Sequence, residues 1–198
     1  NITILDVGCG NNSAIITKKY FKNCSYHGID RENYNSSSHN IHLIDKFYQI
    51  DLEKESLSII NDSSYDLIII SHVIEHLNNG LEIIKELTKK LRKDGYIYIE
   101  YPSEKSLSLP SAQGSLHFCD DNTHKRLYHL IDIANVLLNS NCKIITAKKR
   151  RSLLRIAISP IALIISSLHF LVKGKIHSMG LWDLFGFAEF IIAKKTKD

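Results

Sequence analysis

Short runs of Ile, Val, Leu and Tyr alternate along the chain with stretches of helical spacing. This is the pattern of repeated β-α units, in which parallel strands are buried on both faces. The apolar runs fall at 2–7, 25–30, 47–51, 65–71, 96–101, 142–148 and 187–194, and each predicts a strand. Between them the spacing predicts helices over 13–22, 56–61, 76–93 and 127–139. In the third helix Leu77, Leu81, Ile84, Leu87 and Leu91 share one face, and Lys93-Asp94-Gly95 reads as its stop. Residues 31–46 are too polar and turn-rich for a helix. Residues 102–126, with Pro102, Pro110 and Gly114, predict a long loop after the fifth strand, and loops of that length in compact domains are more often functional than idle.

Composition agrees with one soluble α/β domain over 1–198: 44% of the 198 residues are hydrophobic and 23% charged, which excludes fibrous and disordered classes. Cys9, Cys24, Cys119 and Cys142 form no Cys-x-x-Cys pair, so neither a disulfide scaffold nor a zinc knuckle is indicated and a cytoplasmic location is expected. Asn1 already opens a strand-like run with no signal peptide or initiating Met, so further residues are expected upstream. Charge is uneven. Residues 1–132 carry 14 basic against 18 acidic side chains, a net of −4, whereas the remainder carries 11 against 3, a net of +8. No acidic residue occurs between Asp132 and Asp183, which predicts an anionic partner or surface.

The chemistry concentrates at strand ends. Asp6-Val7-Gly8-Cys9-Gly10 lies at the first strand-to-helix turn, where glycine lets the backbone approach a ligand. The third glycine of the dinucleotide fingerprint is replaced by Ser13, read as a helix N-cap. Asp30, followed by Arg31, ends the second strand 20 positions after Gly10, where a carboxylate can take both hydroxyls of a ribose. Asp51-Leu52 ends the third strand, and Ser71-His72 ends the fourth. The turn alone leaves a nicotinamide-dependent oxidoreductase open. The ordered series resembles the class I S-adenosylmethionine-dependent methyltransferases over essentially the whole chain.

That resemblance implies a Rossmann-like, doubly wound, mostly parallel seven-stranded sheet with an antiparallel last strand, here Phe190 to Lys194, and a helical insertion before it. It implies that Asp6, Gly8, Cys9 and Gly10 shape the methionine pocket, that Asp30 and Arg31 lie at the ribose, that Asp51-Leu52 meets the adenine, and that Ser71 and His72 line the methionine side. S-adenosylmethionine is the implied cofactor and S-adenosylhomocysteine its product. Cys9 reads as a buried filler of the turn, with no cationic neighbour to make it a thiolate.

His72-Val73-Ile74-Glu75-His76 also matches the His-x-x-Glu-His pattern of inverted zinc peptidases. Those enzymes need both histidines on a helix and a third ligand, whereas His72 directly follows a strand, so no metal is expected. Glu75 and His76 are assigned to capping the next helix and shaping the cleft. Methyl transfer needs a base only when the acceptor must lose a proton. The candidates lie in the long loop: His124 and His117, with Asp120 and Asp121 beside them. Tyr101 reads as packing.

The Asp-Asp-x-Thr-His loop, followed by a basic and apolar carboxyl-terminal segment, is similar to uncharacterised methyltransferases of bacterial surface-polysaccharide pathways. This implies a small or lipid-linked hydroxyl acceptor, a sugar first and a quinone or other lipid second. Nucleic acid is not expected, because the basic region lacks interleaved aromatics. The insertion over 150–182 contains 17 residues, Ile156 to Val172, with no Asp, Glu, Lys or Arg. Pro160 is expected to interrupt any helix there, and a span would carry the last strand to the wrong side of a bilayer. A peripheral contact with the inner membrane face, with Lys148, Lys149, Arg150, Arg151, Arg155, Lys173 and Lys175 facing headgroups, is the expectation, and a homodimer contact is its alternative.

Overall fold

In the first strand, β1 (Thr3–Val7), Ile4 and Leu5 are both fully buried although they point to opposite faces, which requires layers on either side of the sheet. The computed structural model describes residues 1–10, 12–32, 41–108, 117–174 and 181–197. After β1 come α1 (Ser13–Tyr20), β2 (Ser25–Asp30), β3 (Lys46–Gln49), β4 (Tyr65–Ser71), α2 (Gly80–Lys90), β5 (Leu91–Pro102), α3 (Leu130–Asn139), β6 (Cys142–Lys149), α4 (Leu153–Lys173), α5 (Leu181–Phe185) and β7 (Ala188–Lys195). The strands form one seven-stranded sheet, in the order β3-β2-β1-β4-β5-β7-β6. The pairs from β3 through β5 are parallel, and β7 is antiparallel to both β5 and β6.

Alternation sorts the core. Leu5, Val7, Ile68, Ile70, Ile97 and Ile99 pack against Ile84 and Leu87 of α2 and Ile133 and Leu137 of α3. Ile4 and Tyr26, with Leu67 and Ile69, face Ala14 of α1. The loop before α3 is fastened to the turn after β4 by Tyr128, whose hydroxyl donates to the Leu77 carbonyl at 2.6 Å and accepts from Gly80 N–H at 2.9 Å.

Four local expectations change. The run 56–61 makes only a 3-10 turn over Leu57–Ile59, too short to pass the helix nucleation barrier, that buries Leu57 and Ile60. The helix expected over 76–93 is α2 alone: Ile74–His76 is a separate turn, Asn79 is the N-cap, and Glu75 and His76 therefore cap nothing. The chain enters the sheet at Leu91, opposite Tyr65, and Lys93-Asp94-Gly95 forms the irregularity before Tyr96 pairs with Leu67. Asp94 there has φ 67°, and a Cβ on Gly95 would lie 2.9 Å from the Tyr65 carbonyl oxygen. Ser13 is not an N-cap; Asn12 precedes the helix at φ 62°, and the Ser13 hydroxyl instead donates to Asp6 at 2.6 Å.

Pro160 does not break α4. A proline removes the N–H that would bond the carbonyl four residues earlier, here that of Ile156. The Ser159 hydroxyl donates to that carbonyl at 2.7 Å and takes the missing donor's place. Ser152 caps the start by accepting from Arg155 N–H, and Gly174, at φ 65°, ends the helix with its N–H on the Phe170 carbonyl. Pro110, Gly114 and Lys175 lie outside the described residues.

Candidate active site

Register places the predicted strand-end residues in one row. Val7 pairs with Ile29 on one side and Ile70 on the other, and Asp30 pairs with Gln49. Gly8, Asp30, Ser71 and the Ile50-Asp51-Leu52 segment therefore all begin where the parallel strands end, along the carboxyl edge of β3-β2-β1-β4. In open α/β sheets ligands bind in the crevice outside this edge.

The first turn is built around buried polar contacts. Asp6 is 3% exposed and accepts from Ser13 Oγ at 2.6 Å and from Tyr26 OH at 2.7 Å. Burial raises its pKa against those hydrogen bonds. Asp6 therefore holds the turn from beneath. Gly8 has φ 74°, and a Cβ there would meet Val73 Cγ2 at 2.3 Å, so the approach of this turn to the loop after β4 requires glycine. Cys9 is buried, and burial first, then the nearby carboxylates, push its thiol up to about 12, so it is no nucleophile.

Asp30 accepts Gly10 N–H at 3.0 Å on one oxygen and Arg31 N–H at 2.8 Å on the other. Each oxygen keeps a second lone pair, so the oriented carboxylate can still receive two hydroxyls. Arg31 itself is exposed, its guanidinium 3.8 Å from Glu32. Asp51 is held by Glu53 N–H at 3.0 Å and Lys54 at 3.2 Å, while Leu52 beside it is buried. A fixed diol acceptor, an apolar patch and a glycine-lined turn suit an adenosine-bearing cofactor.

Beyond Ser71, which is exposed, lies an arrangement that sequence reading missed. His72, at φ 54°, places Nδ1 3.1 Å from Glu75 and Nε2 3.1 Å from Glu100. Glu100 also accepts from Arg150 at 2.7 Å and from the Tyr98 hydroxyl. Asp183, 2% exposed, lies 3.9 Å from Arg150 and 3.3 Å from Arg155. Burial pulls the His72 pKa down, but its hydrogen bonds to Glu100 and Glu75 and the attraction of both carboxylates outweigh this and lift it to about 9. Burial likewise raises Glu100, yet the bonds from His72 and Tyr98 and the Arg150 charge hold it below the ordinary carboxylate value. The imidazole is thus a cation between two acids. Glu100, 28 positions from His72, and Arg150, 50 positions beyond Glu100, carry no spacing signal.

A family model described as a methyltransferase domain matches residues 1–147. The chain belongs to that family. The cofactor of this methyltransferase is S-adenosylmethionine, which supplies an electrophilic methyl group on a sulfonium when bound, and the nicotinamide reading is set aside. The chain is 26% identical over 151 residues to a ubiquinone biosynthesis O-methyltransferase of Rickettsia bellii, covering 73% of this chain and 62% of that protein. It is 25% identical over 114 residues to a probable (S)-tetrahydroprotoberberine N-methyltransferase of Papaver bracteatum, covering 54% and 30%. The matches thus span less than two thirds of these relatives. An S-adenosylmethionine-dependent methyltransferase of Archaeoglobus fulgidus has the same fold at a TM-score of 0.60 and 22% identity, over 98% of this chain and 86% of that one. One from Mesorhizobium loti has a TM-score of 0.65 and 13% identity, over 98% and 91%.

The methyltransferase's loop histidines differ in role. His117 accepts the Cys119 N–H on Nδ1 at 3.1 Å and caps a turn over Phe118–Asp120. His124 bonds the Phe118 carbonyl through Nδ1 at 2.7 Å, so Nδ1 carries a proton and, in the neutral ring, Nε2 carries the lone pair. Its ring lies 4.9 Å from that of His76. The loop is fixed beside the turn after β4 because Lys125 and Arg126 N–H donate to the Glu75 carbonyl at 2.8 and 3.2 Å. Tyr101, at the end of β5, is buried with no hydrogen-bond partner for its hydroxyl among the described residues.

Two outcomes follow from this geometry. Asp30→Ala should weaken S-adenosylhomocysteine binding by about 1.5–3 kcal/mol, the typical worth of hydrogen bonds to a charged group; calorimetry showing unchanged affinity would remove Asp30 from the ribose site. The raised His72 pKa gives stability that is complete below the ordinary value of 6.5 and lost as pH rises through about 9. Thermal melting between pH 6 and 10 should therefore show a decline that flattens in His72→Asn, and equal slopes in the two proteins would contradict the protonated triad.

Proposed function

We propose that this methyltransferase O-methylates a lipid-linked or quinone-type acceptor drawn from the inner face of a membrane. The observation that carries the reading is the orientation of α4. Its side toward the domain is a stripe of small and polar residues: Ser159 and Ser166 are buried, and Ala162 packs with Phe187 and Ala188. Its apolar residues point away, with Leu153 at 86%, Ile161 at 62%, Ile164 at 62%, Leu171 at 79% and Val172 at 80% exposure. A helix that turns its small residues inward and its Leu and Ile outward is inverted for water and suited to hydrocarbon. Among the described residues α4 is one helix long and apolar enough to cross a membrane, with a mean hydropathy of 1.9.

The ends of α4 favour immersion over crossing. β6 ends with Lys149 opposite Glu189, and β7 begins with Ala188 opposite Pro102, so the chain leaves and re-enters the sheet at the carboxyl edge. A helix lying along that edge brings the cofactor crevice and the lipid surface together. This supports an acceptor presented from the bilayer, a requirement that lipid-linked sugars and quinones both meet. The relatives named for O-methylation in ubiquinone biosynthesis support a hydroxyl acceptor. Exposed Lys148, Arg151 and Lys173 flank the helix and suit anionic headgroups, at about 1 kcal/mol each. Arg150 and Arg155 differ from the sequence expectation: Arg150 turns inward to Glu100 and Asp183, and Arg155 pairs with Asp183.

At the mouth, His124 is the ring set to act on the acceptor hydroxyl, and His117 serves the loop.

Co-sedimentation with vesicles tests the membrane reading. Binding should require anionic lipid, weaken with salt, and fall in Lys148→Glu/Arg151→Glu/Lys173→Glu and in Ile161→Asp/Leu168→Asp; a purified protein that ignores anionic vesicles at low salt overturns it. With a quinone-type or lipid-linked hydroxyl acceptor, His124→Ala should lower turnover about 100- to 10,000-fold while His117→Ala changes it little, and full turnover in both variants would refute the assignment.

A further inference from the structure

We infer that Glu75, His76 and His124 form a divalent-metal site at the acceptor mouth, suited to a borderline ion such as Zn²⁺ or Co²⁺. One ligand atom from each of the three lies within 4.8 Å of the others. Two imidazole nitrogens and a carboxylate oxygen form the donor set of catalytic zinc sites, with a position left for substrate.

The first support is an orphan atom. Glu75 is 1% exposed, and while Oε1 is bonded to His72, Oε2 is buried with no hydrogen-bond partner among the described residues. A buried carboxylate oxygen without a donor is costly, and a cation satisfies it. A simple hydrogen-bonded cluster would place a ring N–H on Oε2, and neither histidine does so.

The second support is the state of the two rings. Metal-bound histidines donate their other N–H to a carbonyl or carboxylate relay, which fixes the tautomer. His124 Nδ1 donates to the Phe118 carbonyl at 2.7 Å, leaving its lone pair on Nε2. His76 Nδ1 lies 2.9 Å from Thr123 Oγ1, and that hydroxyl donates its single proton to Asp121 at 2.5 Å. Thr123 Oγ1 must therefore accept from His76 Nδ1–H, leaving the second lone pair on Nε2. Both rings carry the outer-sphere partners of metal ligands, and Asp121, 3.8 Å from His124 Nε2, adds negative charge.

The set combines residues that sequence spacing separates: His76 and Thr123 are 47 positions apart and are joined because the loop is bonded to the Glu75 backbone. His72 is not a ligand, since both its nitrogens face carboxylates, so the His-x-x-Glu-His peptidase pattern is not revived. Around an ion with bonds of about 2.1 Å the ligand atoms would close to roughly 3.4 Å, a movement that rotation of the two partly exposed rings provides. What the ion does rests on the proposed hydroxyl acceptor: it would take the acceptor oxygen in its open position and favour loss of the hydroxyl proton to solvent, so that His124 would serve the hydroxyl as a ligand of the ion and not as the proton acceptor itself. Binding of the ion does not depend on that reading.

The test uses chelator-treated protein titrated with Co²⁺, followed by its visible absorption, and with Zn²⁺ by calorimetry. One ion per chain is expected, with affinity at least tenfold lower at pH 5.5 than at 7.5, because the rings must be neutral to bind. His124→Ala and His76→Ala should each weaken binding at least tenfold. Glu75→Gln should do the same, and because a buried substitution risks the fold, Thr123→Val, which removes the hydroxyl between His76 Nδ1 and Asp121 and keeps the Thr123 carbonyl 3.3 Å from that ring, is expected to weaken binding about tenfold with an unchanged melting curve. No stoichiometric ion, or an ion bound equally well by the histidine variants, overturns the site. S-adenosylhomocysteine affinity measured on the same metal-free samples separates the two readings: its loss would count against the methyltransferase site, and its persistence without ion binding against the metal site alone.

Discussion

A parallel strand pair has polarity: when the strands run together, their carboxyl ends finish on one edge. Everything functional in this protein depends on that constraint. Asp30, Ser71 and Glu100 belong to different β-α units, yet Val7 paired with Ile29 and Ile70, and Ser71 paired with Glu100, align them along one line. The antiparallel β7 extends the line, because its start lies opposite Pro102, where β5 finishes. The crevice needs no dedicated scaffold beyond the sheet.

The same edge concentrates buried charge. Glu75, His72, Glu100, Arg150, Asp183 and Arg155 form a chain of opposite signs from the turn after β4 to the base of α4. The buried carboxylates of Glu75, Glu100 and Asp183 would be costly alone in so dry a place, and each has a basic side chain within 4 Å. The consequence is mechanical as well as electrostatic. The turn after β4 and the segment that carries the apolar helix share one network, so neither is free to shift without leaving a charge unpaired.

Helix α4 shows how a local rule is overridden by a local remedy. Proline in a helix interior frees a carbonyl, and a serine one residue earlier satisfies it, so the helix runs unbroken from Leu153 to Lys173. Its inward stripe of Ser and Ala permits close approach to the domain. Its outward Leu, Ile and Val would order water at a cost of about 25 cal/mol per Å² if left in it.

The strand ends, the α/β architecture and the place of the acid that ends β2 were legible in the sequence, because side-chain periodicity and the turn after a strand are local properties. Asp30 could be read from its distance to Gly10 since one β-α unit spans that interval. Local signals misled where length or packing decided instead: 56–61 was too short to hold a helix, Ser13 was drawn to Asp6, and Leu91 was taken into the sheet. The cation at His72 and the convergence of His76 with His124 were not legible. Their partners come from β5, from the segment joining β6 to α4, and from the loop before α3, and only the closing of the sheet brings them within hydrogen-bond reach. The sequence by itself determined that a carboxylate and a glycine turn would stand at neighbouring strand ends. Tertiary structure decided which histidine lies between two carboxylates, which two rings meet beside the loop, and which side of α4 faces outward, because burial and through-space charge depend on neighbours that the chain order does not name.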